Sequence, residues 1–316
     1  MAHFSIIIPL YNKARYVSRT IESVLGQTFA DFELIVIDNG STDGSGEIVA
    51  GFNDSRLTIR RLEENIGVSG ARNFGVSLSR TPFISFLDAD DWWEPTFLEE
   101  MVKLTEHYPH AGIYGSAYWI VKKGKKKPAP VGVDKDFSEG IINYCQVYAK
   151  TLCMPLTSIS VVLPRGVFIE SNGFPTDIDL GEDFMLWLRI ALKHEVAFLN
   201  KPLSNYNQDV AADSQGSHKK RYNPDTFMTF HLDTFKDEEE RNPSLKVLLD
   251  RIRVYNLMNF RTQNLFPERV QQEISKVDFS HVEPIYKFYY QYPYWIVKPF
   301  CTVRRLLSAI KQKILT

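Results

Sequence analysis

The chain of 316 residues is 44% hydrophobic and 24% charged, which allows one large domain, or a domain with an appendage. Its formal net charge of −1 excludes a global attraction to nucleic acid, and no nucleic-acid partner is expected. Cys145, Cys153 and Cys301 are odd in number and lack C-x-x-C spacing, which argues against a disulfide framework or a zinc site and favours the reducing cytoplasm. No basic segment precedes the apolar residues 4–10, and no apolar run approaches the ~20 residues of a membrane span, so we expect neither a signal peptide nor a spanning helix.

The first part of the chain alternates between strand and helix patterns. Residues 4–10 and 32–38 are continuous apolar runs rich in β-branched residues, which is typical of parallel strands covered on both faces. Between them, apolar residues recur at helical spacing after Asn12, which we predict to be the helix N-cap. This order predicts a doubly wound α/β fold with a mostly parallel sheet and flanking helices. The alternation continues with a helix at 44–52, a strand at 57–62, a helix at 67–79 and a strand at 82–88.

The pattern changes along the rest of the chain. After a helix near 95–107, residues 111–122 alternate like a strand, and the lysine-rich residues 122–130 are predicted to form a loop. A helix over 182–194 is followed by a strand over 195–200, and the patterns are helical from Pro224 onward. We therefore predict a first domain over residues 1–220 and a helical C-terminal extension over residues 221–316.

Aspartates follow two of the predicted strands. Asp38 ends one strand, and Asp88, Asp90 and Asp91 follow another, so they meet at the carboxyl edge of the sheet, where open α/β sheets bind ligands. Carboxylates this close repel one another unless a cation neutralises them, and their oxygens suit Mg²⁺ or Mn²⁺. The alternative is a strand end with a helix N-cap. Two other D-x-D tripeptides, at 134–136 and 177–179, are interpreted as solvated acids.

Residues 4–200 resemble the motif series of the family-two, inverting nucleotide-sugar glycosyltransferases, which have the glycosyltransferase A fold. The resemblance is carried by "SIIIPLYNKARYVSRTIESVLGQTFADFELIVIDNGSTDGS", "ENIGVSGARNFGVSLSRTPFISFLDADDWWEP" and "GEDFMLWLR". It implies that residues 1–220 bind a nucleotide sugar and transfer its sugar to a hydroxyl of a glycan or lipid-linked acceptor. A role in bacterial surface polysaccharide synthesis is a further expectation by analogy.

The resemblance implies a nucleoside site. The positions that match the family's pattern are Pro9, Tyr11, Asp38 and Asn39, and Arg72 would reach the nucleotide or its phosphates. Asn39 departs from the second aspartate that many members carry. Its carbonyl still accepts a hydrogen bond from uracil, but its NH₂ group adds a donor, so uridine is our first choice without excluding another base.

The resemblance also assigns the acidic turn. Asp88 and Asp90 would serve the sugar nucleotide and a divalent cation, Mn²⁺ or Mg²⁺, with Asp90 as the direct ligand. Trp92 or Trp93 would pack against the donor sugar, and aromatic core filling is the equally open alternative for each.

The segment "GEDFMLWLR" would supply the general base. The family places this role on the second acid, here Asp183, and Glu182 would face the acceptor or support the base. Capping of a helix by acids in its first turn fits the same spacing.

Two other functions compete with this interpretation. A haloacid dehalogenase-type phosphatase also has an aspartate after an apolar strand in a D-x-D, but it continues with small residues rather than with Asp91, Trp92 and Trp93. A catalytically silent nucleotide- or carbohydrate-binding protein of the same fold is the second alternative, and the joint presence of Asp88, Asp90 and Asp183 argues against it.

The C-terminal residues 286–316 combine aromatic and basic side chains with an apolar stripe at near-helical spacing. Such a segment can lie on an anionic leaflet, which predicts a cytoplasmic protein held peripherally at the inner face of the membrane. The stripe could instead pack on the first domain or on a second subunit in a homodimer. The basic residues are Lys287, Lys298, Arg304, Arg305, Lys311 and Lys313.

Overall fold

The computed structural model of the protein describes residues 3–210 and 223–299. The chain divides into two compact units, Met1–Lys219 and Lys220–Thr316. Among the described residues, no helix is both long enough and apolar enough to cross a bilayer.

The first unit is built on a ten-stranded sheet with the strand order β3-β2-β1-β4-β9-β6-β10-β5, and β7 and β8 pair with β6 and β10. The strands are β1 (Phe4–Leu10), β2 (Phe32–Asp38), β3 (Leu57–Arg61), β4 (Phe83–Phe86), β5 (Trp92–Trp93), β6 (Ile113–Lys122), β7 (Lys125–Pro128), β8 (Glu139–Ile142), β9 (Val161–Pro164) and β10 (Val196–Asn207).

The N-terminal half of this sheet is parallel, as its continuous apolar runs predict. β1 pairs in parallel with β2 and β4, and β2 pairs in parallel with β3. β9 runs antiparallel to β4 and β6, which makes the whole sheet mixed. The parallel pairing brings Leu10 and Asp38 into register at the carboxyl edge. The acidic turn after β4 therefore lies at the same edge as Asp38.

Helices cover both faces of the parallel half. One core cluster includes Ile6, Ile8 and Val36, and a second contains Ile35 and Ile37, so alternate side chains of each strand are buried on opposite faces. The helices of the first unit are α1 (Val17–Leu25), α2 (Ser45–Ala50), α3 (Gly67–Leu78), α4 (Phe97–His107), α5 (Tyr144–Thr151), α6 (Arg165–Glu170) and α7 (Glu182–Ala191), with a 3-10 turn at Ser158–Ser160.

Three local predictions differ from the structure. Asn12 is not the N-cap of α1, which begins at Val17, because Asn12 has a left-handed φ of 52° and its side chain accepts from the Thr42 N–H at 2.8 Å. The predicted loop at 122–130 contains the exposed edge strand β7, paired with β6. The strand predicted at 195–200 continues to Asn207, because a register shift between Leu199 and Ser204 lets β10 pass Pro202.

The second unit is helical in its described part, as predicted. Arg253 is buried in it and donates to Glu239 at 2.8 Å, and its Nε lies 3.4 Å from Glu273. Its helices are α8 (Lys236–Arg241), α9 (Pro243–Gln263), α10 (Pro267–Ile274) and α11 (Pro284–Gln291), with 3-10 segments at Met228–Phe235 and Phe279–His281.

Part of the aromatic C-terminal segment packs inside the second unit. Tyr286, Tyr289 and Tyr290 are buried, and the Tyr290 hydroxyl donates to the Val254 carbonyl at 2.7 Å. Trp295, by contrast, is 74% exposed. These three tyrosines therefore contribute to the core of the unit rather than to an exposed aromatic surface. The predicted basic residues Arg304, Arg305, Lys311 and Lys313 lie outside the described residues, as does Cys301.

Candidate functional site

The acidic turn after β4 is held by backbone and side-chain hydrogen bonds. The Asp91 N–H donates to the Asp88 carbonyl at 3.0 Å, which closes the turn. Asn207, the last residue of β10, donates from its N–H to the Asp91 carboxylate at 2.7 Å and from its side chain to the Asp90 carbonyl at 3.1 Å. The end of β10 therefore fixes the positions of Asp90 and Asp91.

Arg72, in α3, is the cation at the centre of the site. It is 2% exposed, and it donates to Asp88 at 2.6 Å, to Glu182 at 3.1 Å and to the Ser158 hydroxyl at 3.1 Å. Burial alone would lower the pKa of Arg72, but Asp88 and Glu182 outweigh burial and raise that pKa. Arg72 thus joins the acidic turn to the first turn of α7. Its predicted contact with the nucleotide stays a prediction.

The predicted base lies at the start of α7, beside this ion pair. Asp183 follows Glu182, and its carboxylate accepts from the Phe184 N–H at 2.8 Å. Burial and the neighbouring Glu182 raise the pKa of Asp183 to about 7. Burial also raises the pKa of Glu182, but this carboxylate is engaged by Arg72. Of the two acids, Asp183 has the carboxylate that can accept a proton near neutral pH.

The Asp90 carboxylate forms an ion pair with the Lys13 ammonium. Burial raises the pKa of Asp90, and Lys13 acts in the opposite direction. Among the described residues, no group of three or more His, Cys, Asp or Glu side chains is arranged to hold a metal ion. Asp90 and Asp88 nevertheless fit a divalent cation of the Mg²⁺ type, because such an ion is commonly bound by one or two carboxylates together with substrate phosphates.

The predicted nucleoside residues lie at the ends of β1 and β2. Pro9 is half-buried in β1, and Tyr11, just beyond it, is 45% exposed. Asp38 is buried, and its carboxylate accepts from the Ser41 N–H at 2.9 Å and lies 3.7 Å from Arg61. Asp38 therefore holds the loop that follows β2, and its role toward a nucleoside stays a prediction.

Asn39 uses its side chain to hold a second loop. Its amide NH₂ donates to Asn65 at 3.0 Å and to the Gly67 carbonyl at 3.1 Å, and its carbonyl accepts from the Ile66 N–H at 2.9 Å. The amide therefore positions the start of α3, the helix that carries Arg72. The Asn39 carbonyl oxygen, which would accept from uracil in the predicted contact, therefore already accepts one hydrogen bond.

The two tryptophans after the acidic turn have different environments. Trp93 lies in the core, where it stacks on Phe97 at 4.2 Å and donates to the Ile159 carbonyl at 2.7 Å, so the core alternative applies to it. Trp92 lines a cavity of about 340 Å³ that also includes Asp90, and the Arg19 guanidinium lies over its ring. Packing of Trp92 against a donor sugar stays a prediction.

Four residues at the site were missed by the sequence analysis. Ser158 and Asn207 contact the acidic turn from segments without a recognisable motif. Lys13 lies in the quoted motif, but its spacing from Asp90 gives no indication of their contact. Tyr206 is half-exposed next to Asn207, and burial, together with Asp91, raises its pKa to about 12. The polar residues at the end of β10 were the signal that could have indicated Tyr206 and Asn207.

Comparison with protein families identifies the family of this chain. The model of the family described as Glycosyl transferase family 2 matches residues 5–149. An Escherichia coli protein named UDP-Glc:alpha-D-GlcNAc-diphosphoundecaprenol beta-1,3-glucosyltransferase WfgD is 32% identical over 196 residues, which cover 62% of this chain and 72% of that protein. The chain belongs to glycosyl transferase family 2, a family of enzymes, and the resemblance stated from the motifs is confirmed.

Two further relatives are much longer than this chain. A Rickettsia felis protein named as an uncharacterized glycosyltransferase is 32% identical over 205 residues, or 63% of this chain. Glycosyltransferase GlyA of Streptococcus pneumoniae is 35% identical over 209 residues, or 64% of this chain. The matched part spans only 32% and 30% of these two relatives.

A solved structure confirms the predicted fold. The crystal structure of S. aureus TarS 1-349 in complex with UDP-GlcNAc superposes with a TM-score of 0.72 at 19% identity. The match covers 88% of this chain and 82% of that one. The fold is therefore that of the glycosyltransferase A class, with a mixed sheet and flanking helices, and the haloacid dehalogenase alternative is not supported.

The Arg72 ion pairs generate a stability prediction. Arg72→Met leaves Asp88 and Glu182 without their cation, and we expect the free energy of unfolding to fall by about 2–4 kcal/mol, since Asp88 is partly solvated. The matched control Lys103→Met removes only solvent-exposed pairs and should cost much less. Urea unfolding followed by tryptophan fluorescence measures both, and equal losses would contradict the prediction. The tryptophans that report on this unit are Trp92, Trp93, Trp119 and Trp187.

Proposed function

We propose that the protein is an inverting glycosyltransferase that moves a sugar from a UDP-sugar to a hydroxyl of a glycan or lipid-linked acceptor. Support for the donor and acceptor classes comes from the E. coli relative, whose name specifies UDP-Glc and a diphosphoundecaprenol-linked sugar. UDP-glucose is accordingly the first donor to test.

The observation that carries the proposal is the placement of Asp183 at the N-terminus of α7, next to the Arg72–Asp88 pair. In an inverting transfer, the acceptor oxygen attacks the sugar from the face opposite the leaving diphosphate. The base must accept the proton of the acceptor hydroxyl during this attack. With a pKa of about 7, Asp183 is partly ionised at neutral pH and basic enough to take that proton. Glu182 is held by Arg72 and would orient the acceptor or support the base.

At the donor end, Asp90 and Asp88 would hold Mn²⁺ or Mg²⁺. When bound, such an ion neutralises negative charge on the leaving diphosphate. Arg72 keeps the Asp88 carboxylate at a constant position, and Asn207 does the same for the backbone of Asp90. Tyr11 would stack on the nucleoside through its exposed ring, with Pro9, Asp38 and Asn39 forming the wall beside it.

The direct test is a panel of sugar nucleotides incubated with the protein and Mn²⁺ or Mg²⁺, with and without a diphospholipid-linked acceptor. Release of nucleoside diphosphate that depends on the acceptor is the expected result. The matched control is Asp183→Asn, which should lower turnover by ~10²–10⁴ while UDP binding stays unchanged. Failure of every donor to release diphosphate, with UDP still bound, would favour the silent binding protein instead.

The raised pKa of Asp183 generates a prediction for the pH dependence. Asp183 acts as a base only when ionised, so kcat/KM should fall about tenfold per pH unit below a pKa near 7 and level off above it. Glu182→Gln removes a repelling carboxylate and lowers the pKa of Asp183, so the acidic limb should move to lower pH. An unchanged acidic limb in Glu182→Gln would contradict this prediction. A complete loss of turnover in Glu182→Gln alone would show that Glu182, and not Asp183, is the base.

We also propose that the basic C-terminal segment attaches the protein peripherally to the cytoplasmic face of an anionic membrane. Each Lys or Arg near such a surface contributes ~1 kcal/mol. Because Tyr286, Tyr289 and Tyr290 are buried in the second unit, we expect the exposed Trp295 and the basic residues after it to make this contact.

This proposal predicts sedimentation with anionic liposomes at low salt. The variant in which Arg304, Arg305, Lys311 and Lys313 become Gln should lose most of that binding, because the charge that attracts the leaflet is removed. The matched control changes an equal number of lysines, and it should bind like the wild type. Equal, negligible sedimentation of all three proteins would indicate instead that the segment contacts the protein itself or a second subunit. The control lysines are Lys122, Lys123, Lys125 and Lys127.

A further inference from the structure

The ion pair between Lys13 and Asp90 lies where the proposed donor diphosphate would arrive. The side chains are 16% and 17% exposed, so the pair is largely shielded but open on one side. A buried carboxylate requires a compensating charge, and here the charge comes from a long, flexible side chain. The partner of Asp90 can therefore leave without any change in the backbone.

The backbone of Lys13 is clamped by the loop after β2. The Lys13 N–H donates to the Ser45 hydroxyl at 2.8 Å, the Asn12 N–H to the Ser41 hydroxyl at 3.1 Å, and the Ala14 N–H to the Asp43 carboxylate at 3.0 Å. These bonds use main-chain donors, so a substitution of the Lys13 side chain preserves them. The clamp restricts the ammonium to the neighbourhood of Asp90.

The other acids of the turn have fixed partners. Asp88 is held by Arg72, and Asp91 accepts from the Asn207 N–H, both from rigid elements of the fold. The Asp91 carboxylate also keeps a buried oxygen without a hydrogen-bond partner. Asp90 is thus the acid of the turn whose partner can be replaced without moving a rigid element of the fold.

We propose that Lys13 is an exchangeable counter-ion of Asp90, which moves to the diphosphate of the donor when a divalent cation binds Asp90. The inference rests on the proposed function. An ammonium and a divalent cation repel each other at one carboxylate, whereas an arriving diphosphate offers the ammonium new oxygens within reach of the same clamped backbone. Lys13 is therefore a binding residue for the diphosphate, and it opposes metal binding while no nucleotide is present.

The experiment measures Mn²⁺ binding, through the EPR signal of the free ion, and UDP or uridine binding by calorimetry at one fixed pH. The variants are Lys13→Met, Lys13→Arg and Asp90→Asn, with Arg60→Met as the control on an exposed arginine that does not line the cavity. Without nucleotide, Lys13→Met should bind Mn²⁺ at least about tenfold more tightly than the wild type, since a positive charge next to the ion is gone. Lys13→Arg and Arg60→Met should match the wild type.

With saturating Mn²⁺, Lys13→Met should lose about tenfold in affinity for UDP and none for uridine, because only UDP carries the diphosphate. Unchanged Mn²⁺ affinity in Lys13→Met, or unchanged UDP affinity, would overturn the inference. UDP binding that survives chelation but is lost in Lys13→Met would also overturn it, since Lys13 would then replace the metal permanently. If Asp90→Asn binds Mn²⁺ as the wild type does, the metal site of the proposed function fails instead.

Discussion

The geometry of the site depends on the ion pairs that the Arg72 guanidinium forms. The guanidinium is buried between Asp88 and Glu182, and the largely buried Glu182 would be costly to bury without it. Arg72 comes from α3, Asp88 from the end of β4 and Glu182 from the start of α7, so one side chain ties three elements together. Because Asp183 is the next residue of α7, the same ion pair determines where the proposed base lies relative to the acidic turn.

A second set of contacts keeps Arg72 in place. The Asn39 side chain holds residues 65–67, which lead into α3, and Asp38 holds the loop that in turn clamps Lys13. The residues that the family resemblance assigns to the nucleoside therefore also organise the loops around it. A substitution of Asn39 would alter the position of Arg72 as well as any contact with a base, so loss of activity in such a variant would not by itself identify a nucleoside contact.

The acidic turn illustrates how tertiary contacts separate neighbouring acids that look equivalent in the sequence. Asp88 faces Arg72, Asp90 faces Lys13, and Asp91 faces the backbone of Asn207. Of these three partners, only that of Asp90 is a flexible side chain. This difference supports the proposal that Asp90 exchanges its partner for a metal ion.

Local patterns in the sequence determined the elements of the parallel half of the sheet and the location of the candidate site. The apolar runs of β1 and β2 predict parallel strands, and the acids at strand ends and at the start of α7 predict the ligand edge, because strand pattern and helix start depend on neighbouring residues. Only the tertiary structure decided which side chains of the site pair with one another. Arg72 and Glu182 are 110 residues apart, and Lys13 and Asp90 are 77 apart, so no local pattern records their contact. It also decided that Trp93 belongs to the core while Trp92 lines the cavity, since adjacent residues of a strand point to opposite faces of the sheet.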